Sequence, residues 1–130
     1  MPIAYRYDGF ANRLSTRSEG VVTLSEISNH FRQLGRDARL RPRCDVMLVL
    51  SFPSRLPSAE QVDEVASIIE GMSDLVSFGR CAVVAPEDLA YGLGRMFQGF
   101  AWPSFSGVRV FRRESDATAW LDAEAERHAS

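Results

Sequence analysis

Val46-Met47-Leu48-Val49-Leu50 is apolar at every position, and Cys81-Ala82-Val83-Val84-Ala85 repeats that character further along the chain. Short unbroken apolar runs of this kind suit strands covered on both faces, and therefore parallel strands with helices above and below. Between the two runs lies a helical pattern. Ser58 and Gln61 have capping-box spacing, and Val62, Val65, Ile69 and Met72, flanked by Ala66 and Ile68, recur at helical intervals. A strand, a helix and a second buried strand in that order imply a right-handed crossover in a mainly parallel sheet.

Outward from this unit the alternation continues in both directions. Upstream, Leu24, Ile27, Phe31, Leu34 and Ala38 form a helical stripe that Thr23 and Glu26 open as a capping pair. Polar Ser28, Asn29, Arg32 and Arg36 lie mostly off that stripe, and His30 reads as a helix-surface residue. Arg39-Leu40-Arg41-Pro42-Arg43 closes the helix, because proline disfavours helical backbone in the residue before it. Further upstream, Ile3, Tyr5 and Tyr7 alternate with Ala4, Arg6 and Asp8 as in a half-buried strand. Asp8-Gly9 supplies a turn, and a second strand runs from about Ala11 to Glu19, with Leu14, Thr16 and Ser18 inward.

Downstream, Pro86-Glu87-Asp88 starts a helix: proline suits a first turn, and carboxylates favour its positive end. The stripe Leu89, Leu93, Met96, Phe97 and Phe100 reads as its buried side, ended by Trp102-Pro103. Within it, Gly92 and Gly94 allow close packing against a neighbour. Val108-Arg109-Val110-Phe111 is a last strand. Ser115-Asp116 caps a final helix with Ala117, Trp120 and Leu121 on its apolar side, and the tail to Ser130 is expected to fray. The expected order is ββαβαβαβα, with four or five strands and the first hairpin adding an antiparallel strand at one side.

At 130 residues the chain has the ordinary size of one domain, so residues 1–130 read as a single unit. The apolar share is 45% and the charged share 25%, both typical of a globular protein. A formal net charge of −2 provides no global field for nucleic acid or an acidic membrane. No run approaches the ~20 apolar residues of a membrane span, and the start of the chain has no leader-like stretch, so the cytoplasm is the expected location. All 15 basic side chains are arginine, which excludes a lysine Schiff base or a Walker-type lysine. Cys44 and Cys81 read as buried reduced thiols.

Chemical motifs are sparse. His30 and His128 have no ligand-spaced partners for a metal, no G-x-S-x-G elbow occurs, and Gly92-Leu93-Gly94 lies inside a helix rather than at a dinucleotide loop. The expectation is no enzyme, no cofactor and no metal. Arg36, Arg39, Arg41 and Arg43 form a basic cluster, readable as a solvated face or as a patch for an acidic partner. In open α/β sheets, ligands and partners gather at the carboxyl ends of the strands. Here that rim collects 51–58 and 85–91. Ser54 and Ser58 belong to it, and Ser58 is first of all an N-cap. Asp88 starts the next helix, and Tyr91, Arg95, Gln98 and Trp102 make a second stripe on it, readable as a contact patch or as a rim over the sheet edge.

The segment Cys81-Ala-Val-Val-Ala-Pro-Glu-Asp-Leu-Ala-Tyr-Gly-Leu-Gly-Arg-Met-Phe97, followed by Val110-Phe-Arg-Arg-Glu-Ser-Asp-Ala-Thr-Ala-Trp-Leu121, resembles the bacterial SpoIIAA-like proteins. These are related to STAS (sulfate transporter and anti-sigma-factor antagonist) domains and, more distantly, to CRAL-TRIO lipid-binding domains. The resemblance implies a non-enzymatic module for protein contact or regulation. As an alternative it implies the binding of a small lipophilic ligand, with Phe97, Phe100, Trp102 and Phe105 around a pocket. True antagonists carry an Asp-Ser-Ser-Gly-like motif whose serine is phosphorylated. The comparable stretch here is Leu56-Pro57-Ser58-Ala59-Glu60, which keeps a serine and lacks the Asp and the Gly. The expected partners are accordingly a protein or a small apolar ligand, with a homodimer as a further possibility through an edge strand and an aromatic patch.

Overall fold

A computed structural model of the chain describes residues 3–18, 24–50, 57–72 and 76–129. Five strands and four helices follow one another: β1 (Ile3–Asp8), β2 (Arg13–Ser18), α1 (Leu24–Arg36), β3 (Cys44–Val49), α2 (Ala59–Gly71), β4 (Phe78–Val84), α3 (Asp88–Ala101), β5 (Gly107–Phe111) and α4 (Glu114–Ala129). A short 3₁₀ turn, Trp102–Ser104, joins α3 to β5. The expected ββαβαβαβα order is therefore observed. Ser54, the Thr23 half of the first capping pair and Glu19 lie outside the described residues.

The strands stand side by side in chain order, β1-β2-β3-β4-β5. β1 and β2 pair antiparallel, and every later pair is parallel. Each crossover thus steps one strand over in the same direction, and right-handed crossovers of that kind leave all their helices on one face. Accordingly Leu34 of α1, Val62, Ala66 and Ile69 of α2, and Phe97 and Ala101 of α3 share one core with Leu14, Val46, Cys81, Val83 and Val110. Among the described residues only α4, which follows the last strand, reaches the other face, where Ala117 and Leu121 meet Met47, Ala82 and Val84. The two apolar runs behave as expected, since alternate residues of β3 and β4 enter different cores.

Three expectations need correction. His30 is not on the helix surface but buried, at 6% exposure, because α1 turns it down onto β2 beside Thr16. Ala38 lies past the end of α1, in an exposed turn. The last helix also begins at Glu114, just ahead of the expected Ser115-Asp116 cap.

One corner of the sheet depends on a single glycine. Cys44 pairs with Phe78 and Val46 with Cys81, so one residue of β3, Asp45, faces two of β4. This is a β-bulge. The surplus N–H, that of Arg80, donates to Asp45 Oδ1 at 2.9 Å. The backbone is drawn so close that a Cβ on Gly79 would sit 2.5 Å from Asp45 Oδ1 and 2.7 Å from the Arg43 carbonyl. Gly79→Ala is expected to cost about 2 kcal/mol, since backbone is what must move. Urea unfolding measures it, and a change under about 0.5 kcal/mol would mean the bulge relaxes freely.

Candidate functional site

At the carboxyl ends of the strands, the sequence-derived residues meet structural partners. Ser58 caps α2: its Oγ accepts from Gln61 N at 3.2 Å, while Ser58 N donates to Gln61 Oε1 at 2.8 Å. Asp88 opens α3 and forms an ion pair with Arg112, just past β5. The Arg112 guanidinium also lies 4.4 Å from the Tyr91 ring centroid. Asp88 and Tyr91 are thereby brought together by Arg112, a residue the sequence reading did not single out. The missed signal is the position of Arg112 directly after the last strand, where chain order returns it to the start of the preceding helix. Arg95 is exposed one turn further on. Trp102 lies at the far end of α3, ~20 Å from Asp88 at 1.5 Å per residue. Gln98 faces β5, its amide donating to the Val108 carbonyl at 2.8 Å and covering part of that edge strand.

A small cavity of about 20 Å³ lies between β2–β4 and α1–α3. Thr16, His30 and Cys81 line it among Leu14, Phe97 and Phe105. The space suits about one water-sized body, far below the ~300 Å³ of a small-molecule pocket. Phe97 and Phe105 border it as expected, whereas Phe100 and Trp102 do not and are exposed. Thr16 Oγ1 and His30 Nε2 are 3.4 Å apart, and the imidazole meets Tyr5 and Phe31 edge-on. Burial pushes His30 down to about 4, so it is neutral at pH 7. Burial likewise pushes the Cys81 thiol up to about 12 and Cys44 to about 11. Both thiols are therefore protonated at neutral pH, the form that is neither nucleophile nor metal ligand. Among the described residues no group of three His, Cys, Asp or Glu side chains could hold a metal ion. Nor is any described helix long and apolar enough to cross a membrane.

The least expected feature is the outward face of α3. Its buried residues are Ala90, Gly94, Phe97 and Ala101, three of them small. Gly94 sits so close to the sheet that a Cβ there would lie 3.0 Å from Val110 Cγ1 and 3.3 Å from Val83 Cγ1, whereas one on Gly92 would meet nothing within 4 Å. The helix is thereby rotated from the expected register. Leu89, Met96 and Phe100, expected in the core, are 70%, 37% and 42% exposed. At i, i+7 and i+11 they share one line along the helix, with half-buried Leu93 between them. α2, the helix most extensively packed against α3, exposes Glu60, Asp63, Glu64 and Glu70 and carries no basic residue.

Comparison of the chain with protein-family models, curated proteins and solved structures finds no match.

Proposed function

We propose that this chain is a non-enzymatic, SpoIIAA-like and STAS-related interaction module that docks a protein through the outward face of α3. The observation that carries the reading is the solvent-facing line Leu89–Met96–Phe100. Scattered exposed apolar residues are ordinary on any protein, but an aligned set on one helix is a contact patch. Stability alone gives no reason to turn small residues inward and large ones outward on the same helix. The family part of the reading rests on the resemblance of 81–97 and 110–121, and the ββαβαβαβα order accords with it. Asp88, Tyr91 and Arg95 lie about 100° or more round α3 from that line, on the side where Arg112 joins Asp88 to Tyr91, and would contribute polar contacts only to a partner that wraps the start of the helix.

The test has two arms. The triple variant Leu89→Ser, Met96→Ser, Phe100→Ser is expected to fold with a cooperative melt lowered by several degrees, because Met96 and Phe100 are only 37% and 42% exposed and lose the apolar area they do bury. A photo-crosslinking amino acid at position 96, in cells of the native host, is expected to capture protein far more efficiently than one at exposed position 116 on α4. Equal capture at the two positions would sink the reading.

A further inference from the structure

The hairpin between β1 and β2 ends in Phe10, a fully exposed phenylalanine. The turn that carries it is held from every side. Asp8 Oδ1 accepts from Phe10 N at 3.0 Å and from Ala11 N at 3.2 Å. Arg41 donates to the Gly9 carbonyl. Tyr7 Oη donates to Asn12 Oδ1 at 2.7 Å, Asn12 Nδ2 donates to the Pro42 carbonyl at 3.0 Å, and Asp45 N donates to the Asn12 carbonyl at 3.0 Å. Asn12 and Arg43 both adopt positive φ, 53° and 59°, in this same corner. Left-handed backbone outside glycine persists where surroundings over-determine it, and such sites cluster at places of binding. A fixed aromatic tip loses little entropy on docking, which makes it an efficient anchor.

The charges around the tip resolve the basic cluster seen in the sequence. Arg39 is neutralised by Asp37, with its guanidinium on both carboxylate oxygens. Among the described residues Arg41 and Arg43 have no carboxylate partner, and both belong to the loop that braces the tip. The hairpin corner is thus an aromatic knob beside two uncompensated arginines, with Asp8 engaged by the turn itself. The face of α2 and α3 is its complement: an apolar line beside Glu60, Asp63, Glu64 and Glu70. Among the described residues of α2 and α3 the one cation, Arg95, lies about 100° round α3 from Met96.

We propose that the occupant of the α3 face is a second copy of this chain, whose Phe10 seats on the Leu89–Met96–Phe100 line while Arg41 and Arg43 meet the carboxylates of α2. This rests on the docking reading above and names its partner. The contact joins unlike surfaces, so each bound copy keeps one unused knob or face. Assembly then either closes into a ring or continues as a chain.

Sedimentation velocity on the purified chain, from about 10 to about 300 µM, tests this. The parent mass is expected to rise with concentration. Phe10→Ser and the Leu89→Ser, Met96→Ser, Phe100→Ser variant are each expected to stay monomeric. Mixed together, these two are expected to pair one to one, because one supplies an intact face and the other an intact knob. Arg41→Glu with Arg43→Glu is expected to weaken association at least tenfold, and Glu64→Arg with Glu70→Arg on the receiving copy to restore it. Circular dichroism and melting of each variant establish that loss of pairing is not loss of folding. A parent monomeric at about 300 µM, an associating Phe10→Ser variant, or a mixture that fails to pair would each overturn the proposal. If the parent stays monomeric while position 96 still crosslinks to a different protein, self-pairing falls and the α3 reading stands; if position 96 crosslinks no better than 116, the α3 reading falls as well.

Discussion

Lowering the pH from 7 to 4 is expected to cost the fold about 3 kcal/mol, and the buried imidazole of His30 is the cause. Its ordinary value of 6.5, which the unfolded chain regains, falls to about 4 in the fold because burial disfavours the cation. Between those limits the unfolded chain binds a proton that the native chain refuses, so stability rises with pH across this window. The contribution is complete above about 6.5, declines as the pH falls, and is exhausted near 4. Below that window a different group takes over. Hydrogen bonds from Arg39 hold the Asp37 carboxyl well below the usual carboxylate range, and Tyr5 Oη donates to it at 3.0 Å. That depressed carboxylate stabilises the fold until it too is protonated. Urea unfolding at several pH values measures both segments. His30→Gln, which keeps a polar side chain beside Thr16 and removes the titration, is expected to flatten the upper segment alone. An unchanged slope between pH 6.5 and 4 in that variant would show that His30 is not the group responsible.

What the sequence conveyed and what it withheld follow from how many neighbours each residue needs. Val46–Leu50 and Cys81–Ala85 are apolar throughout, so a place between two cores is legible without a partner; Cys81–Ala85, Val46 and Met47 are buried, and Leu48, Val49 and Leu50 are half-buried. Ser58 with Gln61 is a local device, and its capping box forms as the spacing requires. The rotation of α3 is not local. Periodicity marks Leu89, Met96 and Phe100 as a face, yet Gly94 against Val83 and Val110 sets which face goes inward, and small residues carry no apolar signal. His30 was misplaced for a similar reason. A histidine on a helix reads as polar until Thr16 of β2 is known to stand opposite it. Among the candidate residues, Asp88 and Tyr91 do meet, through Arg112, because β5 brings position 112 back to the start of α3. Trp102 is separated from them by the length of that helix. Phe10, which carries the knob, left no trace at all in the pattern, since a lone aromatic in a turn obeys no period.

Leu121→Ala is expected to cost about 3 kcal/mol, and the asymmetry of the two faces is the reason. One face of the sheet is covered by α1, α2 and α3 with many interlocked side chains. Among the described residues the other is covered by α4 alone, through Ala117 and fully buried Leu121 against Met47, Ala82 and Val84, with Trp120 tilted on Phe111. Two ion pairs, Arg13 with Asp122 at 2.8 Å and Arg17 with Glu114 at 2.5 Å, also join α4 to β2. Their carboxylates are about half exposed, and surface pairs of that kind contribute about 0–1 kcal/mol each. Ala117 has only a methyl group to bury. Most of the attachment therefore resides in Leu121, and removing its branched end leaves a void that no second layer of helix can fill. The loss is expected to be local before it is global: amide exchange should quicken along α4 and the strand backbones beneath it while the other core keeps its protection. Arg17→Ala, by contrast, is expected to change stability by less than about 1 kcal/mol. If Arg17→Ala costs more than Leu121→Ala, then charge rather than burial holds α4 down, and the account of this face is wrong.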